Sequence, residues 1–151
     1  MMPHEDLTRF PTRLLLDSSK YQMQTRVLLS IRPEFIEKIF SGLKRYEFRR
    51  VMFKSRNVNK VVVYASHPVQ RVVGEFEVGE ILALNRKELW QQTGRFSGIA
   101  KAYFDEYFAD KETAYAIEIK AAKRYLRPMA LEYLCPSARP PQSFMYLPNE
   151  S

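Results

Sequence analysis

Cysteine occurs once in this 151-residue chain, at Cys135, and histidine twice, at His4 and His67. A single cysteine cannot build an internal disulfide framework, which fits a reducing compartment; a cytoplasmic location is expected. So few cysteines and histidines cannot form a zinc-type ligand cluster, and neither a metal nor another cofactor is expected. Cys135, in Tyr133-Leu134-Cys135-Pro136, reads as a small packing residue rather than a nucleophile. The five glycines include no Gly-rich turn between a strand and a helix, which excludes a Rossmann-like or P-loop arrangement. A Ser-His-Asp order and a close pair of catalytic carboxylates are also missing. Apolar runs such as Val61-Val62-Val63-Tyr64-Ala65 fall far short of the ~20 residues of a membrane span, so no membrane association is expected. The N-terminus carries Glu5 and Asp6 and lacks the apolar stretch of a signal peptide.

What is abundant is apolar and positively charged. Hydrophobic residues make up 46% of the chain and aromatics 13%, enough for a core and too much for global disorder. The net charge of +7 is unevenly placed. From Lys44 to Lys60 there are seven Lys or Arg against one acid, and from Lys120 to Arg127 four against none. Between Asp105 and Glu118 the balance reverses, with five acids and one Lys. Such asymmetry suits one face for a polyanion, nucleic acid or an anionic small molecule, and an opposite solvated face.

Residues 1 to 24, punctuated by Pro3 and Pro11, read as an N-terminal extension, and 149 to 151 as a short tail. Between them, 25 to 148 reads as one domain. Val27 to Ile31 is a short apolar strand. Pro33 at a first helical position, the face Phe35-Ile36-Ile39-Phe40 and a stop at Gly42 predict a helix over Pro33 to Ser41. Strands are expected at Leu43 to Arg50, Lys60 to Ser66 and Arg71 to Leu82, the last with a bulge at Gly74. Asn85 with Glu88 predicts a capped helix through Gln92. Ser97 can cap another, in which Ile99, Tyr103, Tyr107 and Phe108 share a face. Strands follow at Thr113 to Lys120, Lys123 to Arg127 and Ser143 to Leu147. About six strands with three or so short helices between them indicate the α+β class and a small, partly closed β-barrel.

The segment Gly42-Leu43-Lys44-Arg45-Tyr46-Glu47-Phe48-Arg49 stands out. Strand alternation puts Glu47 and Arg49 on one face and Tyr46 and Phe48 on the other. Lys44 falls with the aromatics unless the backbone bends after Gly42, which would bring it towards Glu47. The trio can bind an anion or a base edge, or tune a proton-transfer group. It can equally be an exposed ion-pair ladder. Tyr64 and Ser66 at a strand end, Trp90 as a stacking ring or core anchor, and Gln142 and Ser143 in a rigid Pro-rich segment are further candidates.

The spacing Gly42-x-Lys44-x-x-Glu47-x-Arg49 after that helix resembles the hallmark of the ASCH domain, a branch of the PUA-like superfamily. Leu29-Ser30-Ile31-Arg32-Pro33-Glu34, Val63-Tyr64-Ala65-Ser66, Val73-Gly74-Glu75-Phe76 and Pro141-Gln142-Ser143-Phe144 are similar to segments of stand-alone prokaryotic members. The resemblance implies a PUA-like mixed β-barrel with helices over its openings and a charged cleft. It also implies binding of RNA, another nucleic acid or a nucleotide-like molecule, with a role in translation or its regulation, or in transcription. Lys44, Glu47 and Arg49 would read a base or nucleotide in the cleft, while Arg45, Arg49, Arg50, Lys54, Arg56 and Lys60 would contact phosphates. One branch of the family deacetylates acetylcytidine with a Lys matching Lys44 and a Thr at the position of Glu47. A carboxylate cannot replace that hydroxyl as nucleophile without changing the intermediate, so binding is favoured. The alternative is an amidohydrolase with Lys44 as base or nucleophile, its pKa lowered by Arg49, and Glu47 as proton shuttle.

Overall fold

The computed structural model of the chain describes residues 25–136 and 139–148. The expected N-terminal extension and tail lie outside them. Six strands form one mixed sheet: β1 (Thr25–Ile31), β2 (Tyr46–Arg49), β3 (Val58–Ala65), β4 (Arg71–Leu84), β5 (Ala114–Met129) and β6 (Phe144–Leu147). Three α-helices sit between them: α1 (Pro33–Phe40), α2 (Arg86–Thr93) and α3 (Lys101–Tyr107). The α+β expectation therefore holds. The strand order is β2-β5-β4-β3-β1-β6, with β1 and β3 parallel and the other pairs antiparallel. Backbone pairing does not link β2 to β6, so the sheet is barrel-like without closing into a barrel.

β1 and β3 are central and covered on both sides, which is why they read as continuous apolar runs rather than alternating ones. Val27, Leu29, Val61 and Val63 pack beneath Ile36 and Ile39 of α1. Leu28, Val62 and Tyr64 point the other way, towards Leu131 and Leu147. A third cluster joins Phe48 to Leu89, Phe104 and Phe108, holding α2 and α3 against β2 and β5.

The punctuation residues act largely as expected. Gly42 follows α1 with φ +86°, a conformation that favours glycine, and turns the chain into the charged segment. Asn85 caps α2 by accepting from the Glu88 amide, and its side-chain amide also donates to the Glu88 carboxylate. Gly74 sits at a register shift, where a Cβ would lie 2.4 Å from Phe40 Cζ and 2.5 Å from the Lys123 carbonyl. Three expectations need correction. The two strands at 113–127 are one, β5, whose apparent break at Ala121 is a residue with φ +47°. The strand expected from Leu43 starts only at Tyr46, because the chain still bends through 43–45. Ser97 does not cap α3, whose N-cap is Ala100; its hydroxyl instead closes a tight turn onto the carbonyls of Gly94 and Ile99.

Candidate functional site

The bend after Gly42 delivers Lys44 to the buried side of β2. Lys44, Glu47 and Arg49 are only 2%, 5% and 9% exposed, so the ladder of solvated ion pairs is excluded. Lys44 is fixed by the turn that precedes α3. Three successive carbonyls there, of Phe96, Ser97 and Gly98, accept from the Arg45 amide, Lys44 Nζ and Lys38 Nζ at 2.8, 2.9 and 2.8 Å. Gly98, at φ +71°, lets this turn approach: a Cβ there would stand 2.8 Å from Lys44 Cβ. The ammonium also faces the rings of Phe48 and Phe35, 4.8 and 5.3 Å from their centroids. One recorded acceptor leaves further N–H donors for a ligand.

Glu47 accepts from Arg49 NH1 at 3.1 Å. The same guanidinium donates to the carbonyl of Ser143, just before β6, at 2.6 Å, and to that of Ser30 on β1 at 3.5 Å. Arg49 thus spans the gap between the two edges of the sheet. Tyr146 of β6 adds a second tie, its hydroxyl accepting from the amides of Lys54 and Ser55 beyond β2.

A cavity of about 200 Å³ opens on this seam. β2 and the preceding bend contribute Lys44, Glu47, Phe48 and Arg49; the end of β1 and the start of α1 contribute Ser30, Ile31, Arg32 and Phe35. Ile99, Tyr103 and Tyr107 come from the region of α3, and Gln142 from the segment before β6. The tyrosine rings lie nearly parallel at 6.3 Å, and the Tyr107 hydroxyl donates to the Phe48 carbonyl at 3.2 Å. Ser30 Oγ is buried with no hydrogen-bond partner. Among the described residues no group of three His, Cys, Asp or Glu is placed to hold a metal ion.

Burial is the leading cause that lowers the pKa of Lys44 from its usual 10.5; Glu47 opposes the shift and Lys38 adds to it. The lowering expected from Arg49 is replaced by desolvation. Burial likewise raises the Tyr107 hydroxyl above its usual 10, keeping it a donor at neutral pH.

The candidates from sequence divide cleanly. Lys44, Glu47, Arg49 and Gln142 line the cavity, and Arg50 and Ser143 line a space beside it. Arg45 stacks over Phe96 outside, and Lys54 and Arg56 are exposed beyond β2. Lys60 is paired with Glu75 at 3.0 Å. Tyr64 is core, Ser66 donates its amide to the Ile31 carbonyl, and Trp90 packs on Phe104 at 4.9 Å. Ser30, Phe35, Tyr103 and Tyr107 were not singled out as site residues. The hydroxyls on the Ile99-Tyr103-Tyr107 face were a legible signal, since a face made only for the core would not need them.

An open mixed sheet whose edges are drawn together over a charged cleft is a PUA-like architecture. The ASCH domain model matches residues 29–123, and the chain belongs to the ASCH domain family. An ASCH domain-containing ribonuclease from Zymomonas mobilis is 30% identical over 126 residues, covering 82% of this chain and 84% of that protein. The crystal structure of ASCH from Zymomonas mobilis superposes with a TM-score of 0.76 at 28% identity, covering 83% of this chain and 89% of that one. The large ribosomal subunit protein uL22 of Ureaplasma parvum serovar 3 is 29% identical over 125 residues, 80% of this chain. The chain spans about two fifths (39%) of that relative's length.

Proposed function

We propose that this chain binds single-stranded RNA and takes one nucleotide unit into the cleft between β2, α1 and α3. The observation that carries the reading is the cavity itself: buried Lys44 and Arg49 cations and two parallel tyrosines around about 200 Å³. That space is below the ~300–1,000 Å³ of pockets for drug-sized ligands, so it suits one part of a polymer rather than a whole dinucleotide. Apolar rings can accept a base or sugar face, and the cations an anionic group. The name of the Zymomonas relative supports RNA as the polymer. The finer role, regulation of translation or transcription, belongs to the same proposal. Amide-resolved NMR titration with adenosine 5′-monophosphate should shift residues 30–35, 44–49 and 103–107. Shifts confined to 54–60 would refute the cleft reading.

A second reading is favoured by the ribonuclease relative and by the lowered pKa of Lys44: the cleft also cleaves RNA. The 2′-hydroxyl would lose its proton to the fraction of Lys44 that burial leaves unprotonated and attack the adjacent phosphorus. The 5′-oxygen would leave with a proton from water, giving a 2′,3′-cyclic phosphate, while the proton taken by Lys44 passes to solvent and Arg49 stabilises the charged oxygens. Intact RNA after prolonged incubation with the protein would remove this reading and leave binding standing. Acetylcytidine incubated alongside tests the amidohydrolase alternative. Free acetate is not expected, because Glu47 is held by Arg49.

A further inference from the structure

We infer that the cleft continues into a second subsite, built to hold the phosphate of the neighbouring nucleotide. This rests on the RNA-binding reading above and extends it from one unit to two. A separate space of about 420 Å³ adjoins the first cavity and shares Arg49, Tyr107 and Gln142 with it. Arg50, Lys111 and Ser143 complete its polar lining. Three cations and no carboxylate face it. Four other cations do have carboxylate partners: Arg32 with Glu34, Lys60 with Glu75, Lys101 with Asp105 and Arg124 with Glu37. Among the described residues neither Arg50 nor Lys111 forms an ion pair. Unneutralised like charges around one depression favour an anion there.

The geometry separates the roles of the two spaces. The first has Phe35, Phe48, Ile99 and the paired tyrosines, and so offers apolar surface to a nucleoside. The second has Val51 as its one aliphatic residue and is otherwise polar or cationic apart from the Tyr107 ring, so it offers little to a base and much to a phosphate. Arg49 lies at the junction, where the phosphodiester joining the two units would pass. A strand crossing both spaces would meet Arg49 first and then Arg50 and Lys111. The subsite therefore selects a chain, or a terminally phosphorylated dinucleotide, over a mononucleotide.

Isothermal titration of adenosine 5′-monophosphate and of the doubly phosphorylated dinucleotide pApAp tests this. The wild-type chain should bind pApAp at least tenfold more tightly. The double variant Arg50→Gln, Lys111→Gln should lose that preference while keeping its affinity for the mononucleotide. The single variants should each lose part of it, and circular dichroism of each confirms folding. A double variant that keeps the tenfold preference overturns the subsite. A wild-type chain that binds the mononucleotide and pApAp equally also overturns it, and leaves the first cavity's role intact. A wild-type chain that binds neither overturns both.

Discussion

Lys44 is the residue on which the site turns. Its charge is held in a setting that disfavours charge, with one carbonyl acceptor, two ring faces and a nearby carboxylate to compensate. In the folded state its pKa lies below the usual 10.5, so protonation costs more in the folded chain than in the unfolded one. The penalty is complete below the folded pKa and is relieved as pH rises from there to 10.5. Lys44→Met removes the charge and keeps the bulk. Its thermal midpoint should equal or exceed that of the wild type at neutral pH, and the difference should shrink as pH approaches 10.5. Scanning calorimetry of both chains across that range checks the sign. Glu47 behaves oppositely. Glu47→Ala strips the buried Arg49 of its carboxylate and should cost about 3–5 kcal/mol in denaturant unfolding, the usual loss when one member of a buried pair is removed. A loss below about 1 kcal/mol would mean the pair behaves as a surface one. The identity of these residues was legible in the Gly42-to-Arg49 spacing. The burial of Lys44 was not, because it depends on Ser97 and Gly98, more than fifty positions away in the chain. Ser30 carried no signal either, since a lone serine in an apolar strand looks like an ordinary interruption.

The elements were more legible than their limits. α1 was marked at both ends by Pro33 and Gly42, and α2 by Asn85, because caps and stops act through neighbouring residues. β5 continues through Ala121 in spite of that residue's φ of +47°, so the two strands expected there are one, a continuity that no residue type nearby announces. α3 shares its residues between two surroundings, although Ile99, Tyr103, Tyr107 and Phe108 were expected on one face. Phe104 and Phe108 do enter the core, but Tyr103 and Tyr107 turn to the cleft. The least legible feature is the seam between β2 and β6, whose strands are adjacent to neither each other's sequence nor each other's backbone. Arg49 bridges it with a side chain in place of a ladder. Arg49→Met should therefore loosen one edge selectively. Amide exchange in Phe144–Leu147 should quicken, while that in β3 and β4 stays slow, as hydrogen-exchange NMR would show. Uniform acceleration across all six strands would assign Arg49 to global stability instead.

At the scale of the whole molecule, the net charge of +7 acts outside the cleft as well as in it. Arg45, Lys54 and Arg56 are exposed near β2 and can attract a polyanion without selecting its sequence. Binding of single-stranded RNA should weaken linearly in log–log form with salt, with a slope of about −0.7 for each phosphate neutralised. Neutralising Lys54 and Arg56 should reduce that slope and leave mononucleotide binding unchanged, because both lie outside the cavity. The same titrations separate the surface from the site. The most direct test of the cleft is the affinity of a labelled single-stranded RNA for the wild-type chain and for Lys44→Met, measured by fluorescence anisotropy at one fixed salt concentration. The account predicts at least a tenfold loss in a variant that is folded and no less stable. Equal affinities would contradict it and leave the RNA on the outer basic surface.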